Sequence, residues 1–201
     1  MIYNMNIDPC IKEIELRTKP IIIRVNKFDE ESAKTFASQM GQAHNTGQSK
    51  IPIIIDSYGG EVYSLMSMIS SIQNATLPVA TIVEGKAMSC GAILFSFGDE
   101  GLRFIDPNAT IMIHDVSSMA WGKIEEVKSS SKEAERLNKI VYEMMAQNCG
   151  KRKDYFLKKV HKRGHADWFL DAKSAKKHNL ANFTVVPKLN VDVTVNIDLV
   201  L

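Results

Sequence analysis

The sequence has few cysteines, and they form no framework. Its 201 residues include three, Cys10, Cys90 and Cys149, and no two of them make a CxxC pair. Small secreted domains that depend on disulfides carry an even set of cysteines. The cysteine usage therefore favours a reducing compartment, and we expect a cytoplasmic protein.

Long hydrophobic runs are also missing. No apolar stretch approaches the roughly 18 residues that a membrane-spanning helix needs. Residues 1–10 lack the basic segment and apolar core of a signal peptide. The sequence therefore predicts neither membrane insertion nor secretion.

A strong charge of one sign is the third absence. The 25 lysines and arginines nearly balance the 23 aspartates and glutamates, which gives a formal net charge of +2. Because proteins that bind nucleic acids usually carry a clear excess of basic residues, we expect no nucleic-acid partner. Gly85 and Lys86 lack the upstream glycine and the following serine or threonine of a nucleotide-binding loop. The sequence predicts no ATPase activity and no cofactor.

What the sequence does contain is short apolar strands that alternate with amphipathic helices. Residues 51–55 are apolar without alternation, which indicates a strand buried on both faces. This strand and the one at 79–83 each lead through a glycine turn into a helix, and the repeated unit predicts an α/β fold. The two turns are 56–60 and 85–91, and further strands are predicted at 21–25 and 110–114.

The C-terminal half has a different pattern. Residues 122–150 predict one long amphipathic helix, and a lysine-rich helix up to Arg163 and a short one at 171–178 follow. Its apolar stripe contains Ile124, Val127, Ala134, Leu137, Val141 and Met144. Residues 189–199 alternate between apolar and polar, which is typical of a strand. We expect one domain over 1–186 and a C-terminal extension over 187–201.

The second glycine turn contains a candidate nucleophile. Small residues around Ser89 allow a tight turn from strand to helix, which exposes the hydroxyl and points free N–H groups at a reacting oxygen. A serine that caps the helix start fits the same pattern. Cys90 is the other candidate nucleophile, and its alternative role is a small residue that supplies only its N–H.

Among the five histidines, His114 is the candidate base. It closes an apolar strand, where packing holds a side chain rigidly, although a core histidine with satisfied hydrogen bonds also fits. Asp115 is not expected to orient it, because neighbouring strand residues point to opposite faces. The others are expected in a polar loop or among lysines on helix surfaces: His44, His161, His165 and His178.

His161 and His165 are four residues apart, as in the HExxH zinc motif. The glutamate of that motif is missing, and the segment between them is basic. The sequence therefore favours a solvated basic segment here and predicts no metal ligand.

Several segments resemble, in this order, the successive motifs of the Clp protease proteolytic subunit, ClpP. They are residues 56–60 (DSYGG), 85–91 (GKAMSCG), 107–108 (PN) and 112–114 (MIH). Residues 167–172 (DWFLDA) resemble the family's segment around its catalytic aspartate, and the similarity runs from about Ile51 to Phe183.

This resemblance implies a fold and a catalytic triad. The fold is the spiral of strand-turn-helix units that ClpP shares with the crotonases, with the helix at 122–150 as a protruding handle. The triad is Ser89 as nucleophile, His114 as general base and Asp167 as the group that orients the imidazole. The N–H groups of Gly60 and Cys90 form the implied oxyanion hole. The chain order Ser, His, Asp differs from that of α/β-hydrolases, chymotrypsin and subtilisin.

The resemblance also implies partners. A serine endopeptidase of this family hydrolyses unfolded polypeptide substrates inside a homo-oligomer, a heptameric ring or a stacked tetradecamer. A separate Clp-type AAA+ unfoldase supplies the unfolding.

The sequence departs from the family pattern in four places. The family usually has Asn-Ser-Pro-Gly-Gly where residues 56–60 are DSYGG, and an arginine where Ala166 stands. The segment between Gly150 and Asp167 is longer than usual, and the tail after Pro187 has no clear counterpart. These departures indicate a divergent member.

Two other functions compete with the protease. One is a crotonase-like acyl-CoA enzyme, which uses paired backbone N–H groups on the same general fold. The other is a non-catalytic ClpP-like structural subunit. The presence of Ser89, His114 and Asp167 in one chain speaks against both.

Overall fold

Apolar strands and helices alternate along the chain, so the fold is mixed α/β. The computed structural model describes residues 19–117 and 121–191. In chain order the elements of these two ranges are β1 (Ile23–Val25), α1 (Glu30–Ala43), β2 (Ile51–Ser57), α2 (Val62–Gln73), β3 (Val79–Met88), α3 (Cys90–Phe95), β4 (Arg103–Ile105), β5 (Thr110–Ile113), α4 (Ile124–Asn148), α5 (Tyr155–His161), β6 (Trp168–Leu170) and α6 (Ala172–Lys177).

The strands form a single sheet that is mostly parallel. Its order is β1-β2-β3-β5-β6, with β4 joined to β3 beside this path. Every pair is parallel except β5 with β6, which is antiparallel. The apolar run of β2 is covered, since Ile53, Ile54 and Ile55 are all buried, as continuous apolarity predicts.

β3 is longer than the sequence indicated. We expected the strand to end at Val83 and residues 85–91 to form a turn, but the strand continues to Met88. Its first half pairs with β4 and its second half with β5. Gly85 is a strand residue at a bulge: the register with β2 shifts here, and a Cβ at Gly85 would lie 2.9 Å from Asp56 Oδ1. Glycine inside a strand often marks such a bulge rather than a turn.

Other boundaries differ less. β1 begins at Ile23 instead of residue 21, β5 ends at Ile113 so that His114 lies just beyond it, and α5 ends at His161. β4 is not predicted by the sequence, because its three residues include a buried arginine and carry no strand pattern. The strand expected at 189–199 lies mostly outside the described residues, and 189–191 are not in a strand.

The core contains side chains from most of these elements. α1 packs on α2 and β1, and α3 packs on β2, β3 and β5. All six residues of α3 are buried. The expected stripe on α4 is buried only in its second half, from Leu137 onward, whereas Ile124 and Val127 are exposed. The first half of α4 therefore leaves apolar side chains in solvent.

None of the helices between residues 19 and 191 that the structure describes combines the length and apolarity needed to cross a bilayer.

The close packing around Gly98 can be tested by substitution. An added Cβ there would lie 2.3 Å from Thr81 Oγ1, which donates a buried hydrogen bond to the Phe95 carbonyl, and 2.8 Å from Arg103 Cγ. We expect Gly98→Ala to lower the free energy of unfolding by about 1–3 kcal/mol, because overpacking forces neighbours to move. The measurement is the denaturant midpoint at constant protein concentration.

Gly41→Ala is the matched control. Gly41 lies in α1 and a Cβ there meets nothing within 4 Å, so we expect no loss of stability, because alanine is the better helix former. Equal midpoints for the two variants would contradict the packing at Gly98.

Candidate active site

Ser89 lies where β3 turns into α3. Its backbone has φ 55° and ψ −121°, a conformation that non-glycine residues rarely adopt. The Ser89 N–H donates to the Met112 carbonyl of β5 at 2.9 Å. Although Ser89 occupies the N-cap position of α3, its side chain makes no capping hydrogen bond. The hydroxyl is therefore available to another partner.

That partner is His114. Its Nε2 atom lies 2.9 Å from Ser89 Oγ. The parallel pairing of β3 with β5 aligns Met88 with Met112, which brings the residues after both strands to the same edge of the sheet. The His114 side chain is only 25% exposed, so its neighbours limit its motion.

Asp167 is near His114 on the side away from Ser89. The distance from His114 Nδ1 to Asp167 Oδ1 is 3.8 Å, longer than a hydrogen bond. Antiparallel pairing of β5 with β6 sets Ile113 opposite Trp168, and one step further along this register His114 faces Asp167. The structure thus brings the three predicted residues together. Ser89 and His114 are within hydrogen-bond distance, whereas His114 and Asp167 are not.

Asp115 interacts with other residues. Its Oδ1 accepts a hydrogen bond from Asn138 of α4 at 2.8 Å, and its Oδ2 contacts His165 and His161. Burial alone raises the pKa of Asp115, but the hydrogen bonds from Asn138 and His165 and the nearby His161 lower it overall. This carboxylate is therefore ionised at neutral pH.

Two glycines before α2 come very close to their neighbours. A Cβ at Gly59 would lie 2.7 Å from Ser89 Cβ, and one at Gly60 would lie 2.3 Å from the Phe28 carbonyl oxygen. Both have positive φ, +105° and +150°. These positions require glycine: the backbone at Gly59 lies against Ser89, and the backbone at Gly60 lies against Phe28.

Two backbone N–H groups near Ser89 are left without backbone acceptors. Cys90 is the first residue of α3, so its N–H has no partner within the helix. In the described part of the chain the Gly60 N–H donates to no backbone carbonyl. The Cys90 thiol donates to the Gly60 carbonyl at 3.2 Å and so links the two residues.

Cys90 itself is poorly suited to be a nucleophile. Its side chain is buried, and burial raises the pKa of the Cys90 thiol to about 11, despite hydrogen bonds at Gly60 and Ser89 that lower it. At neutral pH the sulfur is protonated, and a thiol is a weak nucleophile compared with a thiolate.

The unusual turn at 56–60 has its own supports. Asp56 Oδ1 accepts from the Lys86 ammonium at 2.9 Å and from the Lys86 N–H at 3.2 Å, and this contact raises the pKa of Lys86. The Lys86 ammonium also lies 4.5 Å from the centre of the Tyr58 ring. Ser57 Oγ accepts from the Gly59 N–H at 3.0 Å. Asp56 and Tyr58, the two residues of this turn that depart from the family pattern, therefore both contact Lys86 of β3.

An open groove of about 520 Å³ borders this region. It lies between the start of α2, the segment after His114 and the first half of α4. Its lining includes Val62, Tyr63, Val116, Ala134 and Leu137. The groove is mostly apolar and large enough for a side chain of a bound polypeptide.

Of the other histidines, His178 differs from expectation, whereas His44 lies in the expected loop. His178 is not on a free helix surface: its Nδ1 is 2.7 Å from the Tyr155 hydroxyl and its ring packs edge-on against Trp168. Burial, followed by the charges of nearby lysines, lowers the pKa of His178. His44 follows α1 and accepts from the Thr76 N–H.

The family model for Clp protease matches residues 11–187 of the 201-residue chain. The match covers far more than half of the sequence and includes the whole sheet and the region around Ser89. The α/β architecture is consistent with the fold of this family, whose members are peptidases. The chain therefore belongs to the Clp protease family.

Proposed function

We propose that the protein is a serine endopeptidase subunit of a self-compartmentalised protease, with Ser89, His114 and Asp167 as its triad. The observation that carries the proposal is the 2.9 Å contact between Ser89 Oγ and His114 Nε2. It joins a hydroxyl on a strained turn to a base at a strand end, the pairing by which a weak nucleophile is activated.

In the proposed reaction, His114 takes the hydroxyl proton as Ser89 Oγ attacks a peptide carbonyl. The histidine then gives that proton to the leaving amine, which leaves an acyl-enzyme. Water hydrolyses the ester with the same histidine as base. Asp167 stabilises the imidazolium and keeps Nδ1 protonated. Its separation of 3.8 Å from Nδ1 must shorten for this role, as catalytic contacts often do when substrate binds.

The N–H groups of Gly60 and Cys90 form the proposed oxyanion hole. Neither donates to a backbone acceptor in the described structure, and the bond from the Cys90 thiol to the Gly60 carbonyl ties the two residues together. Donors already in position stabilise the tetrahedral intermediate without reorganisation, which is worth about 3–4 kcal/mol per donor in serine proteases.

The proposed substrates are unfolded polypeptides. An extended chain pairs with the backbone beside the site, so affinity depends little on its sequence. One of its side chains enters the groove next to Val116. We propose a cytoplasmic homo-oligomer, built from a domain over 1–186 and an extension over 187–201. Clp proteases generally assemble into rings and work with AAA+ partners; here the ring is a heptamer, single or stacked, served by a Clp-type unfoldase.

The triad is tested by variants of its three members. We expect Ser89→Ala and His114→Ala to lower peptide hydrolysis by about 10⁴-fold or more, and Asp167→Asn by less, on the order of 10³-fold. A fluorophosphonate is expected to label Ser89 in the unmodified chain. Initial rates with a fluorogenic peptide give the comparison.

Matched controls separate the triad from its surroundings. Cys90→Ala keeps the backbone N–H and is expected to lose less than tenfold, whereas a cysteine nucleophile would make this variant inactive. Asp154→Asn removes a carboxylate that pairs with Arg152 and Lys158 and is expected to be neutral. Unchanged turnover in Ser89→Ala would refute the triad. No turnover in any variant, the unmodified chain included, would indicate a structural subunit.

Ring assembly is tested on the first half of α4. Trp121, just before α4, and Ile124, its first residue, are 98% and 72% exposed, and burying them against another copy is the favourable alternative to leaving them in water. We expect sedimentation to show species of about seven or fourteen chains with closed symmetry. Ile124→Asp is expected to weaken assembly and Ile124→Leu to preserve it. A single-chain species of the unmodified protein at micromolar concentration would rule out the ring.

Substrate access is tested with a folded fluorescent reporter. The described chain offers no nucleotide-binding motif, and a chamber excludes folded proteins. We therefore expect short peptides to be cleaved by the protein alone, and the reporter to be degraded only with a Clp-type unfoldase and ATP. The protein alone and the unfoldase without ATP are the controls. Rapid loss of the reporter with the protein alone would mean that the site is open to folded proteins.

A further inference from the structure

A cluster outside the proposed triad combines two histidines and one carboxylate. Asp115 Oδ2 is 2.5 Å from His165 Nδ1 and 3.7 Å from His161 Nε2. The three ligand atoms all lie within 4.8 Å of one another. The two imidazole rings are tilted by 38° to each other, with 4.1 Å between their centres. Side chains from two distant parts of the sequence, Asp115 on one side and the His161–His165 pair on the other, therefore lie together.

We propose that Asp115, His161 and His165 form a binding site for a divalent transition-metal ion, with Zn²⁺ as the ion that fits this ligand set best. Two imidazoles and a carboxylate match the preference of zinc for nitrogen and oxygen ligands, and they leave a fourth tetrahedral position for water. Mg²⁺ and Ca²⁺ prefer oxygen ligands alone. The site exists whether or not Ser89 is a catalytic nucleophile.

The distances are compatible with metal binding after small movements. Bonds of about 2.0–2.2 Å put the ligand atoms of a tetrahedral zinc site about 3.3 Å apart. The ion would replace the direct contact between Asp115 and His165 and draw His161 closer. The two imidazoles are 43% and 60% exposed, so both rings have room to rotate and the ion can enter from solvent.

The carboxylate is already oriented by its surroundings. Asn138 of α4 donates to Asp115 Oδ1 at 2.8 Å, and the same side chain accepts from the Val116 N–H at 3.0 Å. This leaves Oδ2 directed at the histidines. Partners that orient a ligand in this way are typical of metal sites and contribute to affinity.

The backbone after α5 brings the second histidine to the cluster. Gly164 and His165 both have positive φ, +68° and +63°, and this reversal folds His165 back over His161. The positive charge of Arg163 points away from the cluster. Its guanidinium lies 4.5 Å over the Trp168 ring and donates to the Lys159 carbonyl. A cation at Asp115 therefore meets little repulsion from this side chain.

The consequence of binding is a link between two segments. Asp115 directly follows His114, and His165 precedes Asp167 by two residues. An ion at this cluster joins the end of β5 to the segment before β6. It therefore restrains the two stretches of chain from which His114 and Asp167 extend.

The test measures binding directly, in chelator-treated protein of the full chain carrying Ser89→Ala. This background has no peptidase activity under the proposed function, so metal binding and catalysis are tested separately. We expect one equivalent of Zn²⁺ per chain by calorimetry, and a tetrahedral visible spectrum when Co²⁺ is the probe. Asp115→Asn, His161→Gln and His165→Gln are each expected to weaken binding more than 100-fold. Asn138→Ala is expected to weaken it by about 10–100-fold, as orienting partners do.

His114→Gln is the control, because a zinc ion can also bind the histidine of a triad. Binding that His114→Gln abolishes and His165→Gln spares would overturn the proposal, as would the absence of stoichiometric binding. If a variant fails to fold, the intact chain gives a second measurement. Zn²⁺ is expected to protect His161 and His165 from diethyl pyrocarbonate, with no change at His178. Equal modification of all three histidines with and without Zn²⁺ would also refute the site.

Discussion

The candidate active site depends on β5, a strand of four residues that is hydrogen-bonded on both sides. Parallel pairing with β3 aligns Met88 with Met112, and antiparallel pairing with β6 aligns Ile113 with Trp168. The first register brings Ser89 to His114, and the second brings Asp167 to His114. A slip of one residue in either pairing would turn these side chains to the opposite face. The geometry of the candidate site therefore depends on backbone hydrogen bonds at some distance from the Ser89 and His114 side chains.

The strained turn at Ser89 is held by what surrounds it. Backbone outliers persist only where their surroundings leave no alternative, and three contacts act on this one. α3 is wholly buried, the Ser89 N–H is bonded to β5, and Gly59 comes so close that a Cβ there would lie 2.7 Å from Ser89 Cβ. On the other side of the turn, Lys86 is tied to Asp56. The unusual residues at 56–58 thus take part in the same support instead of weakening it.

Much of the fold could be predicted from apolar patterns, and the errors have physical causes. β2, α1 and α2 follow their periodicity closely. β3 extends beyond its predicted end, because Gly85 is compatible with a turn and with a bulge, and only the pairing with β2 distinguishes the two. The apolar stripe of α4 predicted a long amphipathic helix, but periodicity cannot distinguish a core contact from a surface left for another chain. Ile124 and Leu137 look alike in sequence and differ only in what covers them.

The residues of the candidate site also fall into those that the sequence could predict and those that it could not. Ser89 and His114 could be selected because each follows an apolar strand, a local feature. Asp167 was identified only by resemblance, because its neighbour depends on the antiparallel pairing of β5 with β6. His161 and His165 were recognised as a spaced pair, but Asp115 lies 50 residues before His165. The third member of a cluster at such a separation is visible only after folding.

The segment from His161 to Asp167 has a double role in this geometry. Neighbouring residues of a strand point to opposite faces, so His114 and Asp115 extend to different sides as the chain leaves β5. The segment contacts both, since His165 meets Asp115 and Asp167 approaches His114. Only one residue separates His165 from Asp167, so a change in one contact moves the backbone that carries the other. Asp115 and His165 are already in contact, whereas His114 Nδ1 and Asp167 Oδ1 are 3.8 Å apart. A movement of Asp167 toward His114 would therefore also move the backbone at His165.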